Sequence, residues 1–170
     1  MDLEEAIRTR RTHKAYAPEP VDRETLDELF ELARWAPNHK LTNPWRFRVL
    51  GRGALERLKA ASDDPIAAAK LDRAPTLVLV SATQTGDRVM DEEDVHAAAI
   101  AAYVVLLAAH GRGLAGYWRT PGVLRAPPGR TALGVPDDEQ VLGLLHLGHP
   151  RQQPRVPERA PVEAVVTYLD

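Results

Sequence analysis

Arg8-Thr9-Arg10-Arg11-Thr12-His13-Lys14 sets five basic side chains in seven positions, with no acid among them. Guanidinium groups clustered in this way can hold a phosphate through paired, charge-assisted hydrogen bonds, and Thr12 adds a hydroxyl. Taken alone, the run suits a solvated basic turn equally well. Two further cation-bearing loops, at Trp118-Arg119-Thr120 and at Arg151, give it more weight. With a formal net charge of -2, a localised anion site is favoured over a diffuse basic surface, and no nucleic-acid partner is expected. Trp35, His39, Trp45 and Trp118 fall at the ends of expected elements, where a flat ligand could pack. Each tryptophan taken singly also suits a core position.

Other chemistries find less support. The chain has no cysteine, which removes thiolate catalysis, disulfides and cysteine-based metal sites. Gly111-Arg112-Gly113-Leu114-Ala115-Gly116 has GxGxxG spacing, but a dinucleotide fingerprint needs a strand before it and a helix after it. Here a helix precedes and a strand follows, so the glycines are expected to end the helix and turn the chain. His96 lies beside Asp91, Glu92, Glu93 and Asp94, yet acids in a first helical turn complement the helix dipole without any metal. No H-E-x-x-H occurs, and no metal is expected.

Those side chains need a scaffold. With 170 residues and 44% apolar content, a single domain spanning 1–170 is expected. Residues 1–20 are charged throughout and lack a signal-peptide core, so cytoplasmic residence is the expectation. Asp94 to Gly111 reads as a core helix, rich in Ala and Leu and apolar nearly all round. At that length it is too short for a membrane span, and no membrane partner is expected. Its small residues would admit another backbone closely, in the core or at a subunit contact. Helices are expected near Leu3–Ile7, from Asp22 to Pro37, at 54–61, at 65–71 and briefly at 131–133. Strands are expected at 45–50, 76–81, 114–119 and 140–147, with a last one at 162–169. That final strand follows an irregular Pro/Arg-rich arm and could pair at home or in a neighbouring subunit. Helices and strands interleave with irregular connections, which points to α+β.

Read together, several stretches resemble the FMN-dependent nitroreductase family, in particular its short bacterial NAD(P)H nitroreductases without a lid insertion. They are Arg10-Arg11-Thr12 with Tyr16, Ala36-Pro37-Asn38-His39-Lys40, Asn43-Pro44-Trp45-Arg46-Phe47, Gly116-Tyr117-Trp118-Arg119-Thr120 and Leu147-Gly148-His149-Pro150. The resemblance implies a central mixed or antiparallel sheet flanked by helices, and a homodimer with exchanged C-terminal strands and FMN in the interface. It assigns Arg10, Arg11 and Thr12 to the flavin phosphate and ribityl chain. Trp35 and His39 would approach from the partner subunit, and Trp118, Arg119, Thr120 and Arg151 would complete the cofactor site. Ala108, Ala109, His110, Gly111, Arg112 and Gly113 resemble the region associated with the nicotinamide. The implied chemistry is a ping-pong transfer of hydride from NAD(P)H through flavin N5 to nitroaromatic, quinone or similar electron-poor acceptors, with no catalytic side chain. Alternatives are a same-fold flavoenzyme with a non-nitro substrate or flavin-fragmenting activity, and a non-catalytic flavin-binding protein. Lys14 stands where many relatives have arginine and Thr12 where serine is commoner. The Pro/Gly-rich 121–129 segment departs further.

Overall fold

Aspartates open the first helices. Asp2 accepts from Glu5 N at 2.8 Å at the head of α1, Leu3–Thr9. Asp22 accepts from Thr25 N at 2.8 Å at the head of α2, Arg23–Ala33. The computed structural model describes residues 1–169; Asp170, the last residue of the expected domain, lies outside the described residues. The remaining elements are β1 (Trp45–Val49), α3 (Arg52–Ala60), α4 (Pro65–Ala69), β2 (Thr76–Thr83), α5 (Arg88–Gly111), β3 (Ala115–Arg119), α6 (Pro127–Ala132) and β4 (Glu139–Gly148). α2 stops at Ala33, before the Pro37 expected to end it, and short backbone bonds from Trp35 and Ala36 close its last turn.

The four strands form one sheet in the order β1-β2-β4-β3, with every pair antiparallel. The uninterrupted apolar run of β2 and most of β4 explains their central places, since both faces must be covered. One face packs on α2 and α5 through Leu26, Leu29, Ala101, Val105, Leu145 and Leu147. The opposite face packs Leu58, Leu71, Leu77, Leu79 and Leu144 beneath α3 and the turns around it. Arg48, Ser81 and Glu139 join β1, β2 and β4 side by side, with Arg48 on both carboxylate oxygens of Glu139 at 2.7 and 2.8 Å. Burial would raise the Glu139 carboxyl; the bonds from Arg48 and Ser81 outweigh it and hold the group below its usual range.

Two expectations need correction. The core helix begins at Arg88, capped by Asp87, so it has 24 residues and spans about 36 Å. It is therefore long enough to cross a bilayer, contrary to the shorter helix expected. Its buried residues Ala97, Ala98, Ala101, Ala102, Val105 and Ala109 pack instead into the domain interior. The six added residues also move Asp94 out of the helix start. Asp91 is the first-turn acid, whereas Asp94 is 1% exposed.

The second correction concerns the chain end. Residues 162–169 form no strand in the single chain; Val162–Ala164 is a 3-10 turn, and Tyr168 and Leu169 are more than nine-tenths exposed. A strand needs a ladder partner, and this arm pairs with neither sheet edge of its own chain.

Candidate functional site

The basic run leaves α1 at Arg10, which caps the helix and turns to extended backbone. From there it follows the outer edge of β3. Thr12 bridges Gly116 in parallel, and His13 N donates to Gly116 O at 3.1 Å. Tyr16 then bridges Pro150, and Arg151 N donates to Ala15 O at 3.3 Å. The buried Tyr16 hydroxyl donates to His13 O at 2.9 Å, bracing the bend from within. Burial pushes this phenol well above its ordinary value, so the donor persists across working pH. Residues 10–16, the edge of β3 and the start of the C-terminal arm are thereby brought into one place.

Arg10 reaches over the Tyr103 ring of α5, 5.7 Å from its centre. Arg11 Nη1 donates to Arg8 O and Arg10 O at 2.6 and 2.9 Å. Yet Arg10 Nε, Arg11 Nε, His13 Nδ1 and Arg119 Nη1 are buried without any hydrogen-bond partner. None of the ion pairs among the described residues involves Arg10, Arg11 or Arg119. Buried donors are ordinarily satisfied, so the orphaned guanidinium nitrogens call for an acceptor from outside the chain.

Histidines surround the bend. His110, in the last turn of α5, lies 2.8 Å from Thr9 Oγ1 through Nε2. Burial lowers its pKa, and Arg10 and Arg11 lower it further against the pull of Glu5. Burial also lowers that of His13, followed by His110 and Arg10, while a backbone contact at Gln152 opposes. Burial likewise pulls Arg119 below its ordinary value; Tyr117 opposes this and Arg73 adds to it. His13 belongs to the basic run read from the sequence, whereas Arg73 was not singled out, because its proximity to Arg119 depends on chain crossings that local spacing does not reveal.

The end of α5 turns sharply into β3. Gly113 adopts φ +76, with its N–H on His110 O and Leu114 N on Ala109 O, a left-handed helix stop that glycine adopts without strain. The GxGxxG run is thus a helix terminus, as expected. In the proposed nicotinamide stretch Ala109 is fully buried, and Arg112 is held by Glu28 at 3.0 Å. Gly111 and Gly113 are exposed, and Ala108 and His110 are half-buried.

Farther along β3, Trp118 is half-buried against the α5-side core and its indole N–H donates to Leu142 O at 3.2 Å. A bulge between Val80 and Ser81 in the β2–β4 register accommodates this contact. Gly143, at φ +148, has no room for a Cβ, which would lie 2.6 Å from Arg119 O and 2.7 Å from Trp118 Nε1. Thr120 is exposed at the strand end.

Trp35 and His39 lie in the segment after α2, where Trp35 faces a groove between α1 and α5. Trp35 is 78% exposed. The following loop carries Lys40, Leu41 and Asn43 at φ 50, 54 and 49. Left-handed backbone costs a residue with a Cβ roughly 1–2 kcal/mol and is least costly for Asn, so this loop holds an unusual concentration of strain. Beside it, an apolar groove of about 480 Å³ is lined by Leu3, Ala6, Leu32, Trp35, Val104 and Leu107. An open groove of about 820 Å³ along α2 is lined by four acids, Glu24, Asp27, Glu28 and Glu31, against two arginines, Arg23 and Arg112, a net negative lining. Among the described residues, no cluster of three or more His, Asp or Glu could hold a metal.

The sequence profile described as the Nitroreductase family matches residues 7–149. YfhC of Bacillus subtilis, provisionally named an NAD(P)H nitroreductase, is 27% identical over 98% of this chain and 94% of its own. The crystal structure of a nitroreductase-like protein from Bacillus cereus superposes with a TM-score of 0.91 at 22% identity, covering 100% of this chain and 97% of that one. An NADPH:FMN oxidoreductase from Vibrio harveyi, solved with NAD+, superposes at 0.85 with 22% identity, over 98% of this chain and 76% of that one.

Proposed function

Because the chain belongs to the nitroreductase family, we propose that it is a homodimeric FMN-dependent oxidoreductase. Held by Arg10, Arg11 and Thr12, bound FMN would supply the two-electron redox chemistry of a ping-pong cycle between NAD(P)H and a nitroaromatic, a quinone or a similar electron-poor acceptor. The observation that carries this reading is the set of buried, unpartnered nitrogens on Arg10, Arg11, His13 and Arg119. These residues fit an anionic cofactor: two guanidinium groups suit its phosphate, and the Thr12 hydroxyl suits its ribityl chain. Arg119 would favour whatever charge distribution beside it is more negative. No side-chain nucleophile is required.

A second copy of the chain supplies what one chain leaves incomplete. Leu3, Ile7, Trp35, Ile100 and Tyr103 expose apolar surface around α1 and α5, and the 162–169 arm has no ladder partner at home. Pairing through these surfaces would bring Trp35 and His39 to the other subunit's basic bend and give the arm an edge to join. Cytoplasmic residence belongs to the same proposal.

Anaerobic mixing with NADH or NADPH tests the reading. The flavin absorbance near 450 nm should bleach and return when a nitroaromatic or quinone is added. A protein that retains FMN but is never reduced by either nicotinamide would be a binding protein and not a reductase.

The histidines add a pH dependence. Free His13 and His110 have lowered pKa values, set by burial and by nearby cations. A phosphate placed beside them raises those values, so binding takes up protons and tightens as pH falls through the histidine range. Protonation of the phosphate itself works the other way, so the comparison must be made against a variant. His110→Asn should lower the pH 6 to pH 8 affinity ratio by roughly threefold in a flavin fluorescence titration. An unchanged ratio would place the phosphate elsewhere.

A further inference from the structure

We propose that Asp94 is a positioning residue: through Thr42 it holds the strained 38–43 loop in the shape that one subunit offers to the other's cofactor site. The proposal rests on the dimeric FMN-binding reading above.

Asp94 sits on the buried side of α5, 1% exposed, and accepts from Thr42 Oγ1 at 2.5 Å. Among the described residues it makes no ion pair, and Thr42 is its side chain's hydrogen-bond partner. Burying a carboxyl group with so little compensation is unfavourable unless the contact secures something else. What it secures is the loop. The other side-chain bonds there are short-range: Asn38 Nδ2 to Ala36 O at 3.2 Å, Asn43 N to Asn38 Oδ1 at 2.9 Å, Asn43 Nδ2 to Leu41 O at 2.7 Å, and Arg46 Nη1 to Asn43 O at 2.9 Å. They shape the loop but do not tie it to α5. The Thr42–Asp94 bond does, across 52 positions of sequence. It fixes a segment whose Lys40, Leu41 and Asn43 are left-handed and whose Leu41 is 75% exposed.

The same helix serves both halves of the site. α5 carries Tyr103 beneath Arg10 and His110 beside Thr9, so it backs the basic bend of its own chain. Through Asp94 it also sets the loop presented to the second chain. One rigid rod thereby fixes the spacing between the bend and the loop, and loosening Thr42 should disturb cofactor binding without touching the bend.

Thr42→Val keeps the shape and removes the donor; Thr42→Ser keeps the hydroxyl. With Thr42→Val, amide exchange at Lys40 and Leu41 should rise by roughly tenfold and the FMN dissociation constant by about fivefold, with Thr42→Ser near wild type. Thr42→Val alone strands a buried carboxyl and can lower Tm, so the double variant Thr42→Val/Asp94→Leu is decisive. Removing both partners should recover Tm but not FMN affinity, whereas a purely structural contact would recover both. A folded Thr42→Val protein that binds FMN as wild type does, or a double variant that regains affinity along with Tm, overturns the proposal. A wild-type protein that binds no FMN overturns the functional reading and this role with it.

Discussion

Arg10→Ala combined with Arg11→Ala lowers FMN affinity by about a thousandfold, with a modest loss of cofactor-free stability that comes from the two bonds Arg11 gives to Arg8 O and Arg10 O. Each charge-assisted bond to a phosphate contributes roughly 1.5–3 kcal/mol, so losing those from two guanidinium groups accounts for a change of that order. The free protein loses no more than this because the two side chains are otherwise poorly satisfied there, with each Nε buried and unpartnered. The single variants should differ. Arg11 also braces the bend through Arg8 O and Arg10 O, so Arg11→Ala lowers both Tm and affinity. Arg10 has only the Tyr103 ring beneath it, so Arg10→Ala acts mainly on affinity. Arg10→Lys keeps the charge without the fork and should fall between wild type and alanine. Titration by flavin fluorescence, with thermal unfolding of the apoprotein alongside, checks all four. An Arg10→Ala protein with unchanged affinity would remove the phosphate from this bend.

How legible these features were in the sequence depended on whether their causes were local. The basic run, the β2 strand and the glycine stop after α5 each follow from composition and spacing within a few residues. The start of α5 did not, because Arg88–Glu93 has helix-forming residues but no apolar stripe to announce a buried face. Asp94 looked like a dipole-complementing acid, since its partner Thr42 lies 52 positions away. The alternating β-branched pattern at 162–169 was read as a strand. A pattern supplies only the propensity, however, and the hydrogen-bonded edge must come from elsewhere. The orphaned nitrogens were invisible for the same reason. Arg119 and His13 become buried only when the N-terminal segment lies along β3 and the arm after β4 crosses it.

His146 shows the same dependence on distant neighbours, and it gives the domain an acid weakness that substitution should remove. In sequence it is one polar residue in the run Leu144-Leu145-His146-Leu147. In the sheet it pairs between Leu77 and Tyr117, 1% exposed, with its ring 5.7 Å from that of Tyr117 and both ring nitrogens unpartnered. Burial lowers its pKa to about 4, and the cations Arg119 and Arg73 push in the same direction. The folded-state value lies below the unfolded one, so the unfolded chain takes the proton first. This group therefore destabilises the fold as pH drops below about 6.5, and its effect saturates near 4. The expected loss is about 2 kcal/mol at pH 5 and about 3 kcal/mol by pH 4. Native carboxylates with lowered pKa values, such as Glu139, lose their contribution only at lower pH, which separates the two effects. His146→Leu replaces the ring with an apolar side chain, leaving no nitrogen to strand or protonate. Denaturant unfolding at fixed protein concentration should then show the variant losing about 2 kcal/mol less than wild type between pH 7 and pH 5. Equal losses in both proteins would mean that the imidazole finds water or another acceptor in solution.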